Sequence, residues 1–526
     1  MRLLVVAGVL TLASPSYGQQ AWRSTFSRPQ VEELARAKVE AERRTLGLVI
    51  GVVDENGAHV LSRGRCCDDA RRVLDGDTVF EIGSLTKPLV QALLADMVRR
   101  GEVGMDDPVS RHLPSNVRVP TEGGREITLR HLVEHMSSLP RMPDDYPSTG
   151  DDYPAERFYA FLARHELRRP IGSQREYSNI GYGLLALALA TRGGKPFEAL
   201  LRERITGPLG MTRTYIRARP PGISWVASGH DQDLTPQPPT LLGPAVEGAG
   251  AVRSTVNDLL KFLSASMGLG GRITASWGQR RDVRGKSLVL HDGSTPGFSG
   301  YMAYDPLRRR GVVLLSNSNY VLADVALHLL QPQYPLVPRR ARVTLEPSLL
   351  DRYVGAYKIG ETVANLSRYH DRLFLERPGQ LPREVFAEEA GRFFLDDSQP
   401  IAFTGDDPAS HTMLLFQRDG SSIAAQRVGS PTVSYVDLDA PAFEELVGSY
   451  KLSDTLNVGI SREGLKLRAT ITGQDALELL PISALRFRYI HVDAQIEFTR
   501  GPNGAIDGLI IHQGGEASRA TRSRQG

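Results

Sequence analysis

Cysteine is almost absent: the 526 residues hold two, and they are neighbours, Cys66 and Cys67. Adjacent cysteines close only a strained ring, so no disulfide framework is expected, and the simplest reading is two incidental thiols near a hairpin rather than a redox switch. Metal-ligand patterns are lacking as well. There is no paired Cys spacing and no HExxH motif among the 12 histidines, so neither a metal nor another cofactor is expected. Charge of one sign is also scarce: 63 Lys and Arg face 60 Asp and Glu, a net of +3. Without a basic block interleaved with aromatics, nucleic acid is not an expected partner. The apolar stretch Leu3 to Leu12 is too short to span a bilayer, which needs about 20 residues. Preceded by Arg2 and followed by small residues at Ser16 and Gly18, it reads as a cleaved signal peptide over residues 1–18. The expectation is export to the periplasm or the medium. No Cys follows the apolar run, so no stable membrane anchor is expected.

What is present is the material of several ordinary cores. Hydrophobic residues make up 41% and charged residues 23%, enough apolar matter to bury and far from the signature of disorder. The length suggests about three domains. Residues 19–338 read as a mixed α+β domain. Leu46 to Val53 is an apolar strand ending in the turn Asp54, Glu55, Asn56, Gly57, with His59 to Arg63 returning as its hairpin partner. Ser84 to Arg100 carries Leu85, Leu89, Leu93, Leu94 and Met97 at helical spacing and stops at Gly101. Tyr301 to Tyr304 and Gly311 to Ser316 read as strands around the basic turn Arg308 to Arg310. Strands at both ends with helices between predict an antiparallel sheet flanked by helices.

Beyond the Pro- and Arg-rich linker Pro332 to Arg342, short alternating segments replace helical runs, and they repeat. Tyr353 to Ile359 matches Leu446 to Leu452, Leu373 to Leu375 matches Leu465 to Leu467, and Ile401 to Thr404 matches Ile496 to Thr499. Two copies, 343–436 and 440–526, are each long enough for a small antiparallel barrel of about eight strands. One larger barrel built from both copies is the alternative.

Three short motifs carry the chemistry. Ser84, Leu85, Thr86, Lys87 opens the helical run, and a spacing of three puts the hydroxyl and the amine on one face. A serine hydroxyl becomes a nucleophile only when a nearby base takes its proton, and a lysine is such a base only where its surroundings lower its pKa. Tyr177, Ser178, Asn179 follows the turn Pro170, Ile171, Gly172 and precedes the apolar run Gly181 to Ala190, so it sits on a loop entering a helix. Tyr177 could shuttle a proton to a leaving group, with Asn179 holding Lys87 or a substrate amide. His291, Asp292, Gly293 ends the run Ser287 to Leu290. A strand edge ending in Gly admits a substrate backbone, with the N–H of Ser294 as an oxyanion donor and His291 as a tunable group. Each motif alone has a bland counterpart: a solvated helix start, a packed loop tyrosine, a histidine before a turn.

SxxK, YxN and HxG in this order resemble the serine β-lactamase and penicillin-binding protein superfamily. The likeness is closest to its class C-like branch, which includes D-aminopeptidases, D-alanyl-D-alanine carboxypeptidases and family VIII esterases. Phe80 to Gly83, Ile127 to His135, Gly207 to Met211 and Gly248 to Gly250 are similar to that branch too, over about 300 residues. The resemblance implies a β-lactamase/transpeptidase-like catalytic domain followed by lipocalin-like barrels. It implies Ser84 as nucleophile, Lys87 and Tyr177 as general-base pair, and Asn179, His291, Gly293 and Ser294 at the substrate, with the N–H groups of Ser84 and Ser294 forming an oxyanion hole. The expected partner is a small molecule or short peptide, with β-lactams as a further ligand class. His291 stands where most class C β-lactamases carry KTG, which turns the expectation toward a D-aminopeptidase or D-alanyl carboxypeptidase. A carboxylesterase, a class C β-lactamase, or a penicillin-binding sensor that acylates without turnover are the alternatives.

Overall fold

The computed structural model describes residues 22–523 except 68, 70, 144–145, 147–152, 224–225, 270–278, 321, 378–379, 396–398, 406, 417–421, 454–455, 473–475, 491 and 514–515. The segment read as a signal peptide lies outside the described residues. Two compact units result, one running to Leu336 and one beginning at Val337.

The first unit is built on a six-stranded antiparallel sheet: β1 Gly47–Asp54, β2 Gly57–Gly64, β3 Gln279–Val283, β4 Lys286–Thr295, β5 Phe298–Asp305 and β6 Arg310–Ser316, in the order β2-β1-β6-β5-β4-β3. All eight residues of β1 are buried, because both faces of the sheet are covered. Leu48, Ile50 and Val52 join a core with Val31 and Leu34 of the helix Arg28–Arg36 and Val325 of the helix Ala323–Leu330. Val49 and Val53 face the other way, toward Val256, Leu260 and Leu263 of the helix Val256–Ser266. That helix lies so close that a Cβ on Gly51 would stand 2.5 Å from Val256 Cγ1. β1 and β6, separated by some 260 residues, pair centrally from Leu48↔Ser316 to Val53↔Gly311. The helical segment inserted between β2 and β3 is thereby drawn over one face of the sheet.

The second unit contains two closed eight-stranded antiparallel barrels, from Gly355–Ile359 to Ser422–Gly429 and from Gly448–Lys451 to Glu516–Arg522. In each, consecutive strands pair and the last returns to the first, Tyr357↔Arg427 in one and Tyr450↔Arg522 in the other. Closure leaves no exposed sheet edge. The single larger barrel is thus excluded. The internal repeat reappears as chemistry: buried Tyr357 donates its hydroxyl to Tyr353 O at 2.6 Å, and buried Tyr450 donates to Leu446 O at 2.7 Å. The barrels share a seam in which Tyr369 and Phe374 of the first enter the core of the second, flanked by Arg372 bonded to Glu478 and Arg488 to Glu376.

Cys66 and Cys67 are buried thiols with Sγ atoms 3.2 Å apart. Burial, with the neighbouring thiol, pushes Cys66 up to about 12. Among the described residues no helix is long and apolar enough to cross a membrane, and no cluster of His, Cys, Asp and Glu is placed to hold a metal ion.

Candidate active site

Ser84 sits on a tight turn rather than in the α-helix itself: Gly83–Leu85 forms a 3₁₀ turn, and the α-helix runs Thr86–Arg99. Pro88 is accommodated in the helix's first turn, where its missing N–H has no partner to lose. Leu85, Leu89 and Leu93 are fully buried and anchor the helix. Gly83 has φ +49, and a Cβ there would lie 2.6 Å from Ser294 O and 2.7 Å from Ser294 N. From the opposite side, a Cβ on Gly293 would stand 2.1 Å from Ile82 O and 2.8 Å from Leu85 N. Two glycines thus let strand β4 press its backbone against the nucleophile's turn.

β4 and β5 are joined by Pro296 and Gly297, with Thr295 opposite Phe298 and Ser294 opposite Ser299. In a two-residue hairpin the closing pair exchanges hydrogen bonds and the next pair does not. The Ser294 N–H therefore points away from β5, toward the turn that carries Ser84. β3 pairs with residues 286–290, and residues 270–278 lie outside the described residues.

Tyr177 ends the loop before the helix Asn179–Gly193. Ser178 caps that helix, its Oγ accepting from Gly181 N at 2.9 Å while donating to Pro140 O at 2.7 Å. Ser178 N donates to His135 Nδ1 at 3.1 Å, and the His135 ring stacks on Tyr177 with centroids 4.5 Å apart. Burial drags His135 down to about 3, so it is a neutral acceptor that fixes the loop and the phenol ring together.

These elements converge on one oxygen. Tyr177 donates its hydroxyl to Ser84 Oγ at 2.7 Å, and Lys87 Nζ lies 3.2 Å from the same atom. Lys87 also donates to Asn179 Oδ1 at 2.9 Å and to Ala249 O at 2.7 Å. Lys87 is wholly buried, and desolvation, reinforced by the positive charge of Arg141, holds its pKa well below the ordinary lysine value. Tyr177 is shifted up, mainly by burial, which keeps the phenol protonated. A neutral Lys87 has two N–H groups, which Asn179 and Ala249 take, leaving its lone pair for the Ser84 hydroxyl.

The third motif lines the same cavity, which has a volume of about 1090 Å³ and is bordered by Ser84, Tyr177, His291, Asp292 and Ser294 among others. His291 makes no hydrogen bond to Ser84, Lys87 or Tyr177. Its Nδ1 donates to Asp292 O at 2.7 Å, and burial lowers its pKa. Ser294 Oγ donates to Asn319 Oδ1 at 2.7 Å. The structure therefore brings together all seven residues singled out in the sequence. It adds others the motifs do not name: the Ala249 carbonyl, the His135 ring, and Arg141, whose guanidinium lies 5.2 Å from the Tyr177 ring centroid. His135 and Ala249 fall in stretches already noticed for their resemblance, but a backbone carbonyl leaves no mark on a sequence.

The beta-lactamase family model matches residues 31–331, more than half of the chain. The chain belongs to the beta-lactamase family. It is 34% identical over 225 residues to the D-alanyl-D-alanine-carboxypeptidase/endopeptidase AmpH of Escherichia coli (strain K12), covering 41% of this chain and 56% of that protein. The match thus spans little more than half of that relative's length. It is 27% identical over 410 residues to penicillin-binding protein 4* of Bacillus subtilis (strain 168), covering 68% of this chain and 89% of the relative. The octameric penicillin-binding protein homologue from Pyrococcus abyssi is similar in fold, with a TM-score of 0.53 at 20% identity over 84% of this chain and 97% of that one.

Proposed function

We propose that this family member is a serine hydrolase that works through an acyl-enzyme on Ser84 and cleaves small amides or peptides, of the D-aminopeptidase or D-alanyl carboxypeptidase type. The observation that carries the reading is a single oxygen, Ser84 Oγ, held between the Tyr177 hydroxyl and a Lys87 amine that burial disposes to be neutral. Ser84 Oγ attacks the carbonyl carbon, a C–O bond forms and the C–N bond breaks. One proton leaves Ser84 and one reaches the departing nitrogen, relayed through Lys87 and Tyr177. Water then attacks the ester, gives its proton to the same pair, and Ser84 leaves as the hydroxyl. The N–H groups of Ser84 and Ser294 face the developing oxyanion, a contribution of about 10²–10³ in rate per donor. Asn179 orients Lys87, and His291 offers Nε2 to the substrate.

A fluorophosphonate or fluorescent penicillin followed by peptide mapping is expected to label Ser84. D-alanyl amides, p-nitrophenyl esters and nitrocefin then rank the substrates against Ser84→Ala. No turnover of any of them, with labelling unchanged in Ser84→Ala, would overturn the reading. Hydrolysis of β-lactams is the second reading, favoured by the family itself, and nitrocefin turnover outpacing every amide would select it.

We also propose the boundaries 19–338, 343–436 and 440–526 for the catalytic domain and the two barrels, and export after removal of residues 1–18. The barrel strands fall within the last two intervals, and the charged, apolar and small-residue order of the N-terminus supports export. N-terminal sequencing of exported protein is expected to begin near Gln19; a mature chain starting at Met1 argues against it.

A further inference from the structure

The catalytic cavity is lined by the charged side chains of Arg99, Glu134, Arg141, Arg175, Arg281 and Asp292, of which Arg141 and Asp292, opposite in sign, both act on Lys87 and Tyr177 without pairing with each other. Arg141 lies on the loop that packs against the Tyr177 helix, where its carbonyl accepts from Asn179 N at 3.0 Å and Ile180 N at 3.4 Å. Its side chain is exposed, and its guanidinium stands over the Tyr177 ring. Asp292 is in strand β4, where it pairs with Tyr301 and precedes Gly293, whose backbone packs against the turn of Ser84, and it too is exposed. Both line the cavity with Ser84. Neither has an ion-pair partner among the described residues.

We propose that these two residues form a split charge clamp that selects short peptides with both termini free, Arg141 receiving the terminal carboxylate and Asp292 the terminal ammonium. This rests on the serine hydrolase reading given above and assigns its substrate class. A guanidinium binds a carboxylate through two parallel hydrogen bonds, and a carboxylate accepts from an ammonium at similar strength. Lining one cavity with Ser84 and unpaired with each other, the two groups offer one contact to each end of a zwitterion. At about 3.5 Å of reach per residue, a dipeptide's termini flank its own peptide bond, so both ends can be held while that bond lies at Ser84 Oγ. Arg175 and Arg281 line the same cavity and add positive charge for the carboxylate.

The same two side chains act on the reacting groups in opposite senses: Arg141 lowers Lys87 and Asp292 opposes it, while on Tyr177 Asp292 raises and Arg141 lowers. Both charges therefore lie within electrostatic reach of the base pair. A ligand that neutralises both at once leaves the balance of Lys87 and Tyr177 intact, whereas one that neutralises a single member shifts it.

The experiment uses the full chain and four forms of dialanine, in D and L series: both ends free, N-acetylated, C-amidated and doubly blocked. Rates are normalised to p-nitrophenyl acetate, which carries neither charge, so that a general effect on Lys87 cancels. Blocking either end is expected to lower kcat/KM about ten- to a hundredfold, the worth of one charge-assisted hydrogen bond. Arg141→Gln is expected to erase the penalty for C-amidation while keeping that for acetylation, and Asp292→Asn to do the reverse. Arg141→Lys retains the C-terminal preference in part and serves where the glutamine variant fails to fold. The inference falls if the four forms are handled within twofold of one another, if none is turned over in either series, or if each substitution changes both penalties alike. Fluorophosphonate labelling of Ser84 separates the two levels: a labelled enzyme without charge preference overturns the clamp alone, and an unlabelled one overturns the reading beneath it.

Discussion

Replacing Gly293 by alanine adds one methyl group at the tightest backbone approach in the active site. Its Cβ would stand 2.1 Å from Ile82 O, and ordinary contact begins near 3.4 Å, so β4 and the nucleophile turn must part by about 1.3 Å. The obstacle is backbone on both sides and no rotamer change relieves it. Overpacking of this kind costs about 1–3 kcal/mol of stability, leaving a domain of this size folded. The larger effect falls on chemistry, because the displaced strand carries the Ser294 N–H. A misplacement of about 1 Å lowers rates roughly 10²-fold, and loss of one oxyanion donor lowers them about 10²–10³-fold. Acylation of Ser84 by a fluorophosphonate is therefore expected to slow by two to three orders of magnitude, with the melting temperature only modestly lower. Gly459→Ala, where the nearest atom is 3.8 Å away, is the matched control and should acylate at the normal rate. Acylation of Gly293→Ala within threefold of wild type would refute the packing argument for the oxyanion hole.

Tyr177→Phe removes the hydroxyl on Ser84 Oγ and is expected to reduce acylation about 10²–10⁴-fold without unfolding the chain, as measured by labelling rate and circular dichroism. Lys87→Met is expected to abolish acylation; its stability, followed by chemical denaturation, should also lose a pH dependence. In wild type the depressed Lys87 pKa means the unfolded chain binds the extra proton, so wild-type stability relative to the variant rises as pH climbs from neutrality toward the unfolded lysine value; a difference flat in pH contradicts a neutral Lys87. His135 is held at about 3 against an ordinary 6.5, so the unfolded state gains a proton first and stability drains away as pH falls from 6.5 toward 3. His135→Phe should flatten that decline in melting temperature. Tyr357→Phe and Tyr450→Phe each strand a buried carbonyl and are expected to cost about 1–3 kcal/mol; equal losses by denaturant titration mark the two barrels as true structural repeats.

The amino-acid sequence by itself determined the parts of this protein that depend on local spacing. Ser84 and Lys87 three residues apart, Tyr177 and Asn179 at a helix entrance, apolar runs of strand and helix period, and two copies of an alternating pattern were all legible, because period and turn chemistry are properties of neighbouring residues. Only the tertiary structure decided what depends on residues far apart in the chain. Pairing of β1 with β6 brings the domain's two ends into one sheet, and Gly83 and Gly293 let strand β4 pack its backbone against the turn that carries Ser84. Lys87 owes its lowered pKa to burial and to Arg141, and part of its orientation to a backbone carbonyl at Ala249, none of which a motif encodes. The repeat pattern favoured two barrels over one without deciding it, since strand count and alternation suit both and only the return of each last strand to its own first strand tells them apart. The charges on Arg141 and Asp292 were visible as letters; that they line one cavity with Ser84 without pairing is a fact of the fold.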